Sequence, residues 1–211
     1  MRALCAALGV AALVLFLAGS DAASRYLAEN RIEAKARAEV PEAGSIEANI
    51  DSFPFLARLL IVGSAGDVDL RLDRVPTQAA QLTTVDVKLR DVKLDRDALF
   101  SRQVSVNSIE SGTVSAELDA ASLSRALGRQ VTVGNGEVRS KVGPVNLSAR
   151  PAVGNDGALV LRLGPLRLTV ALPRSKVLAC NATRVAVVGD RVRLSCEVDD
   201  VPPAVRRRLA S

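Results

Sequence analysis

Asp67-Val-Asp-Leu-Arg-Leu-Asp-Arg74 and, a short way on, Thr84-Val-Asp-Val-Lys-Leu-Arg-Asp-Val-Lys-Leu94 decide the architecture of this chain. Apolar and charged side chains alternate along both. A strand points successive side chains to opposite faces, so each stretch is a ribbon that is aliphatic on one side and ionic on the other. The same lettering returns at Val104–Val106, Val114–Leu118, Leu159–Leu163, Leu166–Leu172 and Val192–Val198. So much one-sided sheet must cover its apolar face with something, and what covers it decides the function.

Composition narrows the choice. Hydrophobic residues make up 48% of the chain and aromatics only 2%, so the apolar mass is Val, Leu, Ala and Ile. Such side chains line a smooth groove better than they grip a flat ring. The chain has no histidine and no tryptophan. It therefore lacks the side chain best suited to proton transfer near neutral pH, and the commonest metal ligand. It also lacks the stacking platforms that single-stranded nucleic acid needs. The formal charge is +5, but the cations alternate with Asp and Glu along strands, which reads as a solvated face and not as a nucleic-acid footprint. No nucleic-acid partner is expected.

The first residues point to export. Arg2 precedes an uncharged run from Ala3 to Gly19. As a helix that run spans about 25 Å, a little short of the ~30 Å hydrocarbon core of a bilayer. Ala18-Gly19-Ser20 and Ser20-Asp21-Ala22 offer small residues where a signal peptidase could cut. Residues 1–22 are expected to be a signal peptide or an N-terminal membrane anchor, and 23–211 a single domain. The expected location is the cell envelope, in a periplasmic space or on the outer face of the plasma membrane. Cysteine usage agrees. Cys5 precedes the bulk of the apolar run and is no lipoprotein attachment point. Cys180 and Cys196 flank a hairpin turn at Val188-Gly189-Asp190, where a disulfide can form in an oxidising compartment; two buried free thiols are the other reading.

Asp21 to Glu39 reads as a helix of Ala, Leu, Glu, Lys and Arg, ended by Pro41 and Gly44. From Ser45 the chain is nearly all strand. A second, short helix is expected from Asp119, as N-cap, to Leu127, with Gly128 as terminator. Gly134-Asn135-Gly136 and Gly154-Asn155-Asp156-Gly157 read as hairpin turns.

No catalytic constellation stands out. Gly63-Ser64-Ala65-Gly66 has the wrong spacing for a nucleophile elbow, and no phosphate loop ends in Gly-Lys-Ser or Gly-Lys-Thr. Asp67, Asp69 and Asp73 alternate and could line a cation site, but Arg71 and Arg74 lie among them, and solvated strand charges are the simpler account. No cofactor and no metal site is expected. The stretch Phe53-Pro-Phe-Leu-Ala-Arg-Leu-Leu-Ile-Val62 is the densest apolar segment outside the leader. Phe53, Phe55, Leu56, Leu59 and Leu60 are the candidate lipid-binding or membrane-contacting lip. The alternative is a helical turn plugging one end of the core.

An N-terminal apolar segment, an Ala-rich charged helix, the segment from Ile46 to Leu56 containing Ser52-Phe-Pro-Phe-Leu56, and Gly66-Asp-Val68 leading into alternating strands together resemble the LmeA-like phospholipid-binding proteins of actinobacterial envelopes. The resemblance implies an α+β fold similar to tubular lipid-binding domains: a strongly curved antiparallel sheet wrapped around a long N-terminal helix, with a second short helix. It implies non-enzymatic phospholipid binding in support of envelope lipid or lipoglycan metabolism, with phospholipid and the membrane surface as partners. The pair Cys180 and Cys196 and the Arg-rich end are departures from the pattern. Physical reasoning leads the same way. Tails drawn from a bilayer were already dry, so a carrier needs a groove about as apolar as the membrane. Arg206, Arg207 and Arg208 could meet an anionic head group. Two other readings compete: a structural or scaffolding envelope protein with a closed core, and an envelope enzyme acting on a glycolipid, which would need converging carboxylates.

Overall fold

The computed structural model describes residues 2–94, 106–142, 144–154, 157–170 and 182–199; side chains are described from residue 19 on, except at 107, 142, 182, 183 and 199. Among the described residues, thirteen strands follow a long N-terminal helix, α1 (Arg2–Glu39). The main sheet places β1 (Ser45–Asp51), β2 (Ser64–Pro76), β3 (Gln81–Leu94), β5 (Ser111–Asp119), β13 (Arg191–Asp199) and β12 (Ala182–Val188) side by side, with β4 (Val106–Ser108) paired to β3. Every pairing is antiparallel. Two three-stranded antiparallel sheets complete the chain: β6 (Val131–Gly134), β7 (Glu137–Val142), β8 (Val145–Ala149), and β9 (Ala152–Val153), β10 (Leu159–Leu163), β11 (Leu166–Val170). The class is α+β with antiparallel sheets.

Register turns the alternation into continuous rows. Ile46, Leu72, Val85, Ala116, Leu194 and Val185 are successive partners across the six-stranded path. All but Val185 are buried. Two residues along each strand, Ala48, Leu70, Val87, Val114 and Cys196 form the next row, and Ile50, Val68, Leu89, Gly112 and Val198 the one after. A one-residue slip would turn each such strand inside out, so burial of one face fixes the register. The opposite face carries Glu47, Arg71, Asp86 and their neighbours.

The apolar rhythm skips a beat twice, and the backbone absorbs both skips. Leu89 and Val92 stand three apart. Between them Asp91 takes φ 43°, and the β2–β3 register shifts there, between Gly66–Val92 and Val68–Leu89. Leu72 and Val75 also stand three apart, with Arg74 at φ 52° between them. Positive φ costs a non-glycine residue strain, which the burial of Val75 and Val92 offsets. Gly66 sits in the first bulge at φ 78°, where an added Cβ would lie 2.8 Å from Ser52 Cβ.

Helix α1 runs unbroken through Asp21, so the apolar run and the charged helix form one element. Its inward stripe is Asp21, Ser24, Arg25, Ala28, Glu29, Ile32, Glu33 and Ala36, at helical spacing. Small side chains let it lie close to the β1 edge. There Glu33 Oε1 accepts the Ala48 N–H and Glu29 Oε1 accepts the Ile50 N–H, each at 2.9 Å. An exposed edge strand invites pairing with another chain, and these carboxylates occupy its donors instead. Helix α2 (Phe55–Ala57) continues into a π-helical turn, Arg58–Val62. Helix α3 (Ala120–Leu127) starts at Asp119, whose carboxylate accepts the Ser122 N–H at 2.7 Å, and ends at Gly128 with φ 65°.

The larger core cluster joins the main sheet to α3 through Leu123 and to the small sheets through Val131, Val138, Leu159, Leu161, Leu163, Leu168 and Val170. A second cluster, Ile50, Phe55, Ala65, Val68, Val92 and Ile109, lies at the α2 end. Leu72 and Leu70 share a strand and a face, but only Leu72 belongs to the buried core. Leu72→Ala is expected to cost about 2–5 kcal/mol and Leu70→Ala clearly less, measured by denaturant unfolding.

Candidate functional site

On the inner face of the main sheet, the row Ala48, Leu70 and Val87 is half-buried, with Leu89 beside it. The flanking rows are buried: Ile46, Leu72 and Val85 in the larger cluster, Ile50 and Val68 in the smaller. Strands lie about 4.8 Å apart, so the half-open row makes an aliphatic trough about 10 Å long across β1, β2 and β3. It exists because the small sheets cover the β5–β13–β12 half of the face while α1 and α2 cover the other end. A depression of about 220 Å³ is lined by residues 47–49, 69–71 and 86–88; six of these nine, Glu47, Asn49, Asp69, Arg71, Asp86 and Lys88, point away from the trough, so it opens on the ionic face. A second, of about 320 Å³, is lined by Lys88, Arg90, Ser111, Gly112, Thr113 and Glu197. Lys88 borders both.

The lip residues divide. Phe53 and Leu60 are exposed. Phe55 is buried in the smaller cluster, and Leu59 packs half-buried against it. Leu56 is half-buried, and its N–H donates to Asp21 Oδ1 at 2.7 Å. Ile61 and Val62, which sequence reasoning left out of the lip, are exposed beside Leu60. The signal for them was present: they close the same apolar run, immediately before the glycine that ends it. Plug and lip are thus roles of different residues within one segment.

Cys196 is buried and disulfide-bonded, while Cys180 lies outside the described residues. Arg206, Arg207 and Arg208 also lie outside them. Among the residues described, no group of His, Cys, Asp and Glu is placed to hold a metal ion. Two of the three aspartates of β2, Asp67 and Asp73, are engaged with protein partners. Asp67 accepts from Arg90 Nη1 and from the Asp91 N–H, and Asp73 accepts from Ser45 Oγ at 2.8 Å, Thr84 Oγ1 at 3.3 Å and Arg71 Nε at 3.4 Å. The Ser45 hydrogen bond, helped by Arg71 and Thr84 against the opposing effect of burial, holds Asp73 below the usual carboxylate range.

Glu117 is the most enclosed of the paired carboxylates on the ionic face. Arg193 reaches its Oε1 at 2.6 and 2.9 Å, and Arg191 Nη1 reaches its Oε2 at 2.9 Å. Burial pushes its carboxyl up, but the hydrogen bonds from Arg191 and Arg193 outweigh that and hold it below the usual range. A carboxylate so held is a poor proton donor near neutral pH, and its arrangement ties β5 to β13.

A family model described as LmeA-like phospholipid-binding matches residues 19–209. No curated protein and no solved structure matches the chain.

Because Glu117 is depressed in the folded state, its stabilisation is fully present above the ordinary glutamate value. It is lost as pH falls through the lower folded value. Glu117→Gln is expected to lower stability by about 1–3 kcal/mol at neutral pH. That difference should shrink as pH drops below ~4, read from denaturant midpoints across a pH series. A difference constant in pH would show that the ion pairs are not its source.

Proposed function

The chain belongs to the LmeA-like phospholipid-binding family, and we propose that it binds phospholipid without chemical turnover, in a bacterial cell envelope. The observation that carries this reading is the aliphatic trough on the inner face of β1–β3. A two-tailed lipid needs a surface as apolar as the membrane it leaves, because extraction gains nothing from the hydrophobic effect. Ala48, Leu70, Val87 and Leu89 offer such a surface without a polar side chain among them. The trough begins at the β1 edge, beside the stripe of α1. In this reading the helix acts as one wall and the sheet as the other, as the resemblance to tubular lipid-binding domains implies.

In this reading residues 1–22 direct export or remain as an anchor, and 23–211 form the lipid-binding domain. The disulfide at Cys196 suits an oxidising compartment. The protein then serves envelope lipid or lipoglycan metabolism by holding lipid, with catalysis left to other proteins. A closed structural scaffold is the competing reading. The solid packing of Leu118, Leu123, Leu161 and Leu194 beneath the small sheets favours it.

The two separate on one experiment. The protein, purified without detergent, is expected to carry phospholipid detectable by mass spectrometry. Ala48→Leu, which fills the trough with hydrocarbon, and Val87→Asp, which charges it, should both lose that lipid while circular dichroism stays native. Lipid-free wild-type protein with no affinity for added phospholipid would establish the scaffold instead.

A further inference from the structure

The π-helical turn ends in a run of apolar side chains that the interior does not use, and Phe53 stands exposed just before α2. Phe53 is 78% exposed, Leu60 59%, Ile61 71% and Val62 55%. Scattered apolar residues on a surface need no explanation, but a run of them on one projecting turn does. A π turn packs more residues into each turn than an α-helix, so consecutive side chains fan out less. Leu60, Ile61 and Val62 are thereby presented together. The turn is held in place from below. Phe55 and Leu59 sit in the smaller cluster, Gly63 closes the turn at φ 75°, and the Leu94 N–H donates to the Gly63 carbonyl at 2.7 Å.

The course of α1 says what meets this tip. Glu33 bonds to Ala48, Glu29 to Ile50 and Asp21 to Leu56. Helix numbers fall as strand numbers rise, so α1 followed toward its N-terminus advances on the tip and draws level with α2 at Asp21. The same helix continues from there to Arg2, and Ala3 to Gly19 contains no charged residue. Those residues extend about 25 Å, close to the ~30 Å of a hydrocarbon core. Among residues with described side chains no helix is long and apolar enough to cross a membrane; Ala3–Gly19 falls outside that set except for Gly19. Tyr26 and Leu27, 63% and 62% exposed, lie on the outer side of α1. They stand about 8 Å along its axis from Asp21, where an amphipathic ring suits a membrane–water boundary.

We propose that this end of the molecule docks on a lipid bilayer. Phe53, Leu60, Ile61 and Val62 enter the boundary between head groups and acyl chains, in the leaflet that receives the apolar half of α1. This deepens the phospholipid-binding reading by naming the surface at which lipid is met. Asp91 lies between two cations, Arg58 at 3.8 Å and Lys93 at 3.5 Å, and Arg90 pairs with Asp67, so this group carries a single excess positive charge. On a zwitterionic bilayer docking is therefore driven by apolar area and is insensitive to salt.

The chain has no tryptophan, so one introduced indole reports alone. The full chain is reconstituted into phosphatidylcholine vesicles containing lipids brominated near the top of the acyl chain. Phe53→Trp and Ile61→Trp are expected to show blue-shifted emission and quenching, unchanged by added salt. Val188→Trp, on the β12–β13 hairpin at the α3 end of the sheet, should show neither. Water-like, unquenched emission from both tip positions overturns docking, even where phospholipid co-purifies. Blue-shifted emission from the tip that the brominated lipid does not quench also overturns it, because protein then covers the tip. Quenching at the tip in a protein that carries no phospholipid supports docking while removing the lipid-carrying reading, so the two fail separately.

Discussion

Ile46, Leu72, Val85, Ala116, Leu194 and Val185 stand side by side across the six-stranded path of the main sheet, and the rest of the molecule is arranged around keeping that row dry. The constraint is elementary. A period-two pattern sends every aliphatic to one face, and antiparallel pairing lines those faces up. A face so continuous must be covered. The small sheets and α3 cover the half formed by β5, β13 and β12. Helix α1 and the α2 segment cover the end formed by β1. Between the two covers Ala48, Leu70 and Val87 are left half-open. The candidate site is thus the place where two covers, each sufficient for its own half, do not meet.

Charge does more here than keep the outer face soluble. Glu29 and Glu33 satisfy backbone donors of an edge strand, Asp91 shapes a bulge, and Glu117 clamps two arginines of β13. Most ion pairs of the outer face are solvent-exposed and contribute little individually. The carboxylates that bond main-chain N–H groups at the β1 edge are different, because they decide where α1 lies. That position in turn decides which end of the molecule the apolar half of α1 leaves from.

Holding a lipid and touching a membrane are separate physical tasks, and in the proposed reading they fall to separate surfaces of the molecule. The trough lies between two packed clusters, on strands held in register. The apolar tip lies beyond the smaller cluster, on a turn fastened by Phe55, Leu59 and Gly63. Family membership names phospholipid for the first task. For the second, the tip and the N-terminal run of α1 share one end of the fold.

Local pattern was enough for the strands within the described residues, the Asp119-capped helix with its Gly128 stop, and the turns at Asn135 and Gly189, because each depends on neighbours a few positions away; residues 104–105 and 171–172 of the expected strands lie outside the described residues. It was also enough to mark residues 53–62 as unusual. It could not divide that segment, since Phe53 and Phe55 are the same side chain two residues apart, and only the closeness of Ile50, Val68 and Val92 buries one and leaves the other in water. Nor could it show that Glu29 and Glu33 bond to a strand, because a carboxylate on a charged helix looks the same whether it faces solvent or a backbone amide. The periodicity of this chain, by itself, determined strands with one apolar face; their assembly into an antiparallel sheet was what the family resemblance implied. The half-open trough and the meeting of the exposed apolar tip with the N-terminal run at one end were decided by tertiary structure alone, since both depend on how far each cover extends across that sheet, and extent is set by contacts between residues distant in the chain.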